Sequence, residues 1–339
     1  MYIDALLDEI TTLRRSSEFL YQGFSTADTL YIGGGTPSVL SGEQIEKIVL
    51  TAREKFNISA DSEITIECNP GSDIESLIPH FKKCGINRVS LGMQSAVDIE
   101  RKALGRNADK KRIKEVISLL KDNGILNISL DIMLGIPKQT KESLMETLEF
   151  VSECDVTHIS AYILKIEDNT YFGKNRDKLI LPDDDLVCDM YEICCSFLAE
   201  KGFNQYEVSN FAKAGFESRH NSKYWLLDDY LGIGPSAHSF VGGRRFYFAD
   251  STQDFIDGKS PIFDDFGGSY DEYIMLRLRL AKGIDIGELI ARYGEKSAKK
   301  IKEKAPFLQE KGLVNYDGST LSLTVKGFLV SNTVINEFI

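Results

Sequence analysis

The stretch Thr29-Leu-Tyr-Ile-Gly-Gly-Gly-Thr-Pro37 decides how the chain is read. A short β-rich run passes straight into three glycines, and an amphipathic pattern of Ile45, Ile48, Val49, Ala52 and Phe56 begins after Ser41. That order predicts a strand, a loop and a helix. Three residues without a Cβ let the backbone come close to a ligand, with N–H groups turned toward a carboxylate or phosphate. A tight turn alone would also use glycine, so the weight of the motif comes from its surroundings.

Outward from this unit the same alternation recurs. Strands are expected at Glu63–Cys68, Arg88–Met93, Asn127–Ile132 and His158–Ile163. Helical spacing falls between them, around Leu77 and Phe81, at Ile113, Val116, Ile117 and Leu120, and at Leu144, Leu148 and Val151. Strands joined by crossover helices form a parallel sheet with right-handed connections, so the expected class is α/β with a barrel-like sheet. A further helix carrying Ile3, Leu6, Leu7, Ile10 and Leu13 comes first.

A polar stretch from Glu167 to Asp185 breaks the alternation before a helix with Leu186, Met190, Ile193 and Phe197. An aromatic- and glycine-rich segment then runs from about 203 to 266, and from Ser269 helices surround a turn at Asp317-Gly318, as in a winged-helix-like α+β module. The expected units are therefore 1–185, 186–266 and 267–339.

With 339 residues, 42% hydrophobic and 27% charged, the composition is that of a folded globular chain. A net charge of −11 argues against nucleic acid as a partner, and the lysines between 296 and 304 read as a solvated helix face. The six cysteines are scattered, which suits a reducing cytosol better than a disulfide framework. No apolar run approaches the ~18 residues of a membrane span, and no secretory leader is evident; a cytoplasmic protein is expected.

Ligands of parallel α/β sheets sit beyond the carboxyl ends of the strands. Polar residues recur there: Glu67, Gln94 and Asp131 each interrupt an apolar strand, and Arg106 offers a cation beyond Gln94. One such residue would be explained by a local hydrogen bond; several together point to a shared polar ligand.

The series Gly33-Gly-Gly-Thr-Pro37, Glu67-Cys-Asn-Pro70, Leu91-Gly-Met-Gln-Ser95, Gly105-Arg106, Leu130-Asp-Ile132, Gly135-Ile-Pro137 and Ser160-Ala-Tyr162 resembles radical-SAM proteins of the oxygen-independent coproporphyrinogen oxidase family. His220-Asn-Ser-Lys-Tyr-Trp225 is similar to the H-N-x-x-Y-W signature of that family's haem-chaperone branch, as are Tyr230–Gly234 and Ala237–Ser239. The resemblance covers nearly the whole chain. It implies an incomplete radical-SAM (β/α) barrel lacking its first strand, followed by the winged-helix-like domain.

It also implies a division of labour. Gly34, Gly35 and Thr36 would meet the methionine part of S-adenosylmethionine, with Glu67, Gln94, Arg106 and Asp131 completing the pocket. His220 would bind haem iron, Tyr224 and Trp225 would pack on the macrocycle, and His238 is the alternative ligand. The family holds a 4Fe-4S cluster on C-x3-C-x2-C, whereas the first cysteine here is Cys68, so those ligands are expected upstream of Met1 or lost. The chain as it stands is not expected to cleave the cofactor. Expected partners are haem and a haem-accepting apoprotein, membrane-associated acceptors included, and an unpaired strand edge invites dimerisation. The alternatives are an oxygen-independent coproporphyrinogen III oxidase and a barrel enzyme whose glycine loop cradles a phosphate.

Overall fold

A computed structural model describes residues 1–339. Strands β1 (Thr29–Ile32), β2 (Glu63–Cys68), β3 (Arg88–Gln94), β4 (Asn127–Leu134) and β5 (His158–Ile163) run parallel in chain order. Two short strands, β6 (Asn204–Gln205) and β7 (Asn210–Ala212), extend the sheet antiparallel to β5. The sheet is open, ordered β1-β2-β3-β4-β5-β7-β6, so one side of β1 has no strand beside it.

The helices start where side chains can cap them. α1 (Tyr2–Thr12) is followed by α2 (Gly42–Lys55), whose Ser41 and Gln44 form a reciprocal capping box. Asp73, Asp109 and Thr140 each accept a first-turn N–H of α3 (Ile74–Cys84), α5 (Lys110–Asp122) and α6 (Lys141–Glu153), and a short α4 (Asp98–Ala103) lies between the first two. Their apolar stripes pack on the outer face of the sheet, where Ile64, Ile66, Leu91, Leu130 and Ile159 are fully buried beside Phe81, Val116 and Leu148. Parallel strands covered on both faces are usually apolar throughout. Here the other face carries Glu63, Thr65 and Glu67 on β2, Arg88 and Ser90 on β3, Ser129 and Asp131 on β4, and His158 and Ser160 on β5, aligned by register. One face makes the core; the other makes a site.

The boundary expected at 185 falls inside this unit. After a four-residue α7 (Tyr171–Lys174), α8 (Asp184–Glu200) packs on β4, β5 and α6, and β6 and β7 continue the sheet beyond it. Strands of two and three residues leave no periodic trace in a sequence. The rest of the middle segment comprises α9 (Arg219–Leu226) and an antiparallel sheet of β8 (His238–Val241), β9 (Arg244–Tyr247) and β10 (Ile262–Phe266).

The C-terminal unit has helices Tyr270–Arg277, Ile286–Tyr293 and Lys299–Glu310 around a sheet of β11 (Ile284–Asp285), β12 (Val314–Tyr316) and β13 (Thr320–Leu323). The Asp317-Gly318 turn joins β12 to β13, its Asp317 carboxylate accepting from the N–H groups of Ser319 and Thr320. Lys304 of the lysine-rich helix pairs with Glu337 in solvent. No helix is long and apolar enough to cross a membrane.

Candidate functional site

A polar cleft of about 320 Å³ opens at the carboxyl ends of the strands and is lined by Gly34, Gly35, Thr36, Glu67, Gln94, Arg106 and Asp131. All seven residues singled out for the cofactor thus come together. Glu67 accepts the Tyr31 hydroxyl at 2.7 Å and the Gly34 N–H at 3.2 Å. Glycine is needed for this arrangement: a Cβ on Gly33 would stand 2.4 Å from Tyr31 Cε1 and 2.9 Å from Glu67 Oε1, and Gly34 has φ +115°. Part of the loop's N–H capacity therefore holds the chain's own carboxylate.

Asp131 accepts the Ser90 hydroxyl at 2.9 and 3.1 Å and the Ser129 hydroxyl at 3.3 Å. Burial pushes its carboxyl pKa up, opposed by hydrogen bonds from Ser160 and Ser90 and by the charge of Arg88. Gln94 is turned by an irregularity at the end of β3, where the register slips between Gly92 and Gln94 and its own φ is +71°. Sequence reasoning missed Tyr31, Arg88, Ser90, Ser160, Tyr162 and Asn221, which also line the cleft. The available signal was a charged residue, Arg88, opening an otherwise apolar run.

A second cleft, about 830 Å³ and mainly apolar, runs along the free side of β1 from Thr26 to Pro37. Tyr2, Leu6 and Ile10 of α1 face it, together with Phe24 and Phe56, and its far wall carries His220, Tyr224, Tyr230 and His238. Tyr31 and the loop residues Gly34–Pro37 line both clefts, so the partition is one side chain thick at Tyr31.

His220 is placed by its helix. The first turn of α9 rests on Glu63, whose carboxylate accepts the N–H groups of Arg219 and His220 at 3.0 Å each and the Ser218 hydroxyl at 3.4 Å. The imidazole Nδ1 lies 2.9 Å from Thr29 Oγ1, Nε2 lies 2.9 Å from the Tyr224 hydroxyl, and the ring stacks on Tyr31 at 5.1 Å. Burial first, then the charges of Lys223 and Arg88, pull its pKa down to about 4, so the ring is neutral at physiological pH. Tyr224 meets Tyr230 edge-on at 4.6 Å, and His238 stacks on Tyr247. Trp225 lines neither cleft, being about 100° further round the helix than Tyr224.

A buried chain of hydrogen bonds runs from Asp131 of the polar cleft to the N-cap of α9. Ser129 Oγ bonds Asp131 and lies 2.8 Å from His158 Nδ1; His158 Nε2 lies 2.8 Å from the Tyr206 hydroxyl, which accepts the Ser218 N–H at 3.3 Å. Burial holds His158 well below the usual histidine range, hence neutral.

The cysteines do not fit an iron–sulfur cluster. All six are free, five are buried, and no three His, Cys, Asp or Glu side chains group as metal ligands. Burial raises the pKa of Cys68 and Cys195 to about 12, away from the thiolate a metal requires.

Fold and site define the class first. Residues 17–151 match the Radical SAM superfamily and residues 269–330 the HemN C-terminal domain. The solved coproporphyrinogen III oxidase HemN of Escherichia coli superposes with a TM-score of 0.82 over 99% of this chain and 82% of its own, at 24% identity, a likeness of fold.

The sequence relatives narrow this. Heme chaperone HemW of Lactococcus lactis subsp. lactis is 31% identical over 100% of this chain and 89% of its own length; that of Bacillus subtilis is 32% identical over 100% and 91%. Heme chaperone HemW of Escherichia coli is 36% identical over 72% of this chain and 63% of its own. The chain belongs to the HemW family.

Proposed function

We propose that this chain binds haem in the apolar cleft and passes it to an acceptor apoprotein, with S-adenosylmethionine held in the adjoining polar cleft. The family relationship supports the reading, and one observation carries it: a neutral imidazole stands in an apolar cleft of ligand size with one nitrogen buttressed. Metal-binding histidines are commonly oriented through their second ring nitrogen. Thr29 holds Nδ1 of His220 and leaves Nε2 as the donor, once the Tyr224 hydroxyl gives up its hydrogen bond. Haem, when bound, supplies the iron for this axial ligand. No cysteine lines the apolar cleft, so no thioether to a haem vinyl group forms there.

In the polar cleft, Arg106 offers its guanidinium to the carboxylate of S-adenosylmethionine, while Gln94 and Asp131 offer acceptors to its amine and ribose hydroxyls. S-Adenosylmethionine supplies a cationic sulfonium nucleotide whose charge suits the neighbouring Glu67. The role of these residues in the reading is to bind and orient the cofactor.

The test is a haem titration followed by Soret absorption. His220→Ala is expected to weaken binding at least tenfold and to alter the band, with His238→Ala close to wild type. Unchanged binding by His220→Ala, or loss confined to His238→Ala, would refute the assignment of the ligand.

A further inference from the structure

Arg88 is a charged group of the polar cleft, buried and without an ion pair, to which the function proposed above gives no role. It opens β3 on the sheet's inner face, is 2% exposed, and its Nε has no hydrogen-bond partner. Charged side chains are rarely this enclosed unless paired. The chain's two other buried arginines obey that rule, Arg15 paired with Glu9 and Arg101 with Asp98, although the Nε of Arg101 is also without a partner. Arg88 enters no such pair, yet it lines the cleft.

Its depth sets it apart from Arg106. Gln94 is six residues further along β3, roughly 20 Å at about 3.3 Å per residue, so the Arg88 backbone lies far below the strand ends and its guanidinium enters from the floor. Beside it in register, Thr65 also leaves its hydroxyl unpartnered. The charge of Arg88 is felt on both sides of the partition, lowering the pKa of Asp131 in one direction and of His220 in the other.

We propose that Arg88 is a carboxylate receptor, taking an anionic arm that a bound ligand sends down into the interior of the sheet. The planar fork of the guanidinium matches a carboxylate with two parallel hydrogen bonds. Glu67 and Asp131 in the same cleft disfavour a more highly charged group such as phosphate. Two ligands of the function proposed above carry such an arm: haem, through its propionates, and S-adenosylmethionine, whose one carboxylate would then be held by Arg88 in place of Arg106. The inference rests on that reading.

The experiment measures four affinities in the full chain, for wild type, Arg88→Gln and Arg88→Lys. The ligands are haem and haem dimethyl ester, and S-adenosylmethionine and its decarboxylated form. Arg88→Gln is expected to lose tenfold or more, about 1.4 kcal/mol, for one free acid and to be unchanged for its ester or decarboxylated counterpart. The pair that shows this selectivity identifies the source of the arm. Arg88→Lys, which keeps the charge and loses the fork, is expected to recover only part of the loss. Equal losses for acid and blocked ligand, no loss, or an unliganded Arg88→Gln melting below wild type would overturn the proposal and make Arg88 structural. Wild type that binds neither free acid would refute the functional reading itself, a result distinct from a selectivity that is merely missing.

Discussion

Replacing Glu63 tests whether the histidine-bearing helix is anchored on the sheet. The Glu63 carboxylate, 6% exposed at the first position of β2, accepts the N–H groups of Arg219 and His220 at 3.0 Å, at the positive end of α9. Hydrogen bonds to a charged group contribute about 1.5–3 kcal/mol each, and a partly buried anion at a helix N-terminus gains up to ~2 kcal/mol from the dipole. These overlap, so Glu63→Ala is expected to cost α9 about 3 kcal/mol of local stability, a roughly 100-fold loss of amide protection at about 1.4 kcal/mol per decade. Glu63→Gln keeps an acceptor oxygen but loses the charge, and is expected to cost about 1 kcal/mol, roughly fivefold. Hydrogen exchange of amides 219–226 reads both variants, with the amides of α6 on the far side of the sheet as reference. Unchanged exchange in α9 for Glu63→Ala, or an equal change in α6, would refute the anchoring.

Gly33→Ala places a Cβ 2.4 Å from Tyr31 Cε1 and 2.9 Å from Glu67 Oε1; it is expected to separate that pair and to weaken S-adenosylmethionine at least tenfold by calorimetry, and unchanged affinity would show that the pair is not needed. Because the His220 pKa is about 4 in the fold against 6.5 ordinarily, the imidazole remains a competent ligand as the pH falls from 8 to 5. Haem affinity should accordingly stay level across that range in a Soret titration, and a midpoint near 6.5 would show an unburied histidine. Linkage has the matching sign: the unfolded chain takes up the proton first, so this residue's contribution to stability declines as the pH drops through 6.5 toward 4. Glu207 behaves oppositely, burial raising its carboxyl pKa from 4.5 to about 7, so the ionised group opposes folding increasingly as the pH rises between these values. Glu207→Gln keeps the acceptor for the Ser209 N–H and is expected to be more stable than wild type at pH 8.5, by up to about 3 kcal/mol at 1.36 kcal/mol per unit, with little difference at pH 4.5. Equal denaturation midpoints at pH 8.5 would refute this.

The parts of the molecule that were legible are those where one residue pattern has one physical solution. Glu63–Cys68 alternates Ile64 and Ile66 against Glu63, Thr65 and Glu67, and the structure buries the isoleucines outward and aligns the polar residues inward. Glu67, Gln94 and Asp131 were visible for the same reason, each interrupting an apolar strand, whereas Arg106 lies beyond the helix that follows β3. Arg88 was invisible because it lies at the start of its strand, and only the depth of the cleft reveals that its side chain reaches the ligand space. Tyr31 reads as an ordinary strand residue until His220, 189 positions later, is found stacked on it. The motif H-N-x-x-Y-W named His220, Tyr224 and Trp225 together, but a helix turns successive residues apart, and only the first two face the cleft.

The polar inner face also predicts how occupancy should register. Three of the seven buried orphan atoms, Thr65 Oγ1, Arg88 Nε and Asn210 Oδ1, belong to the inner rows of β2, β3 and β7, with Asn210 opposite Ser160. A sheet folded only for stability would place apolar residues in these rows, because an unmet polar atom in a low-dielectric interior costs about 1–3 kcal/mol. A ligand that meets even one of them binds the folded chain and not the unfolded one, and at a hundredfold excess over its Kd it adds about 2.7 kcal/mol to stability. Of the three, Arg88 lines the polar cleft, so it is the one through which a ligand would be felt. Substituting Arg88 by an apolar residue of similar size, such as Met, should raise the melting temperature of the free chain while reducing the increment that ligand adds.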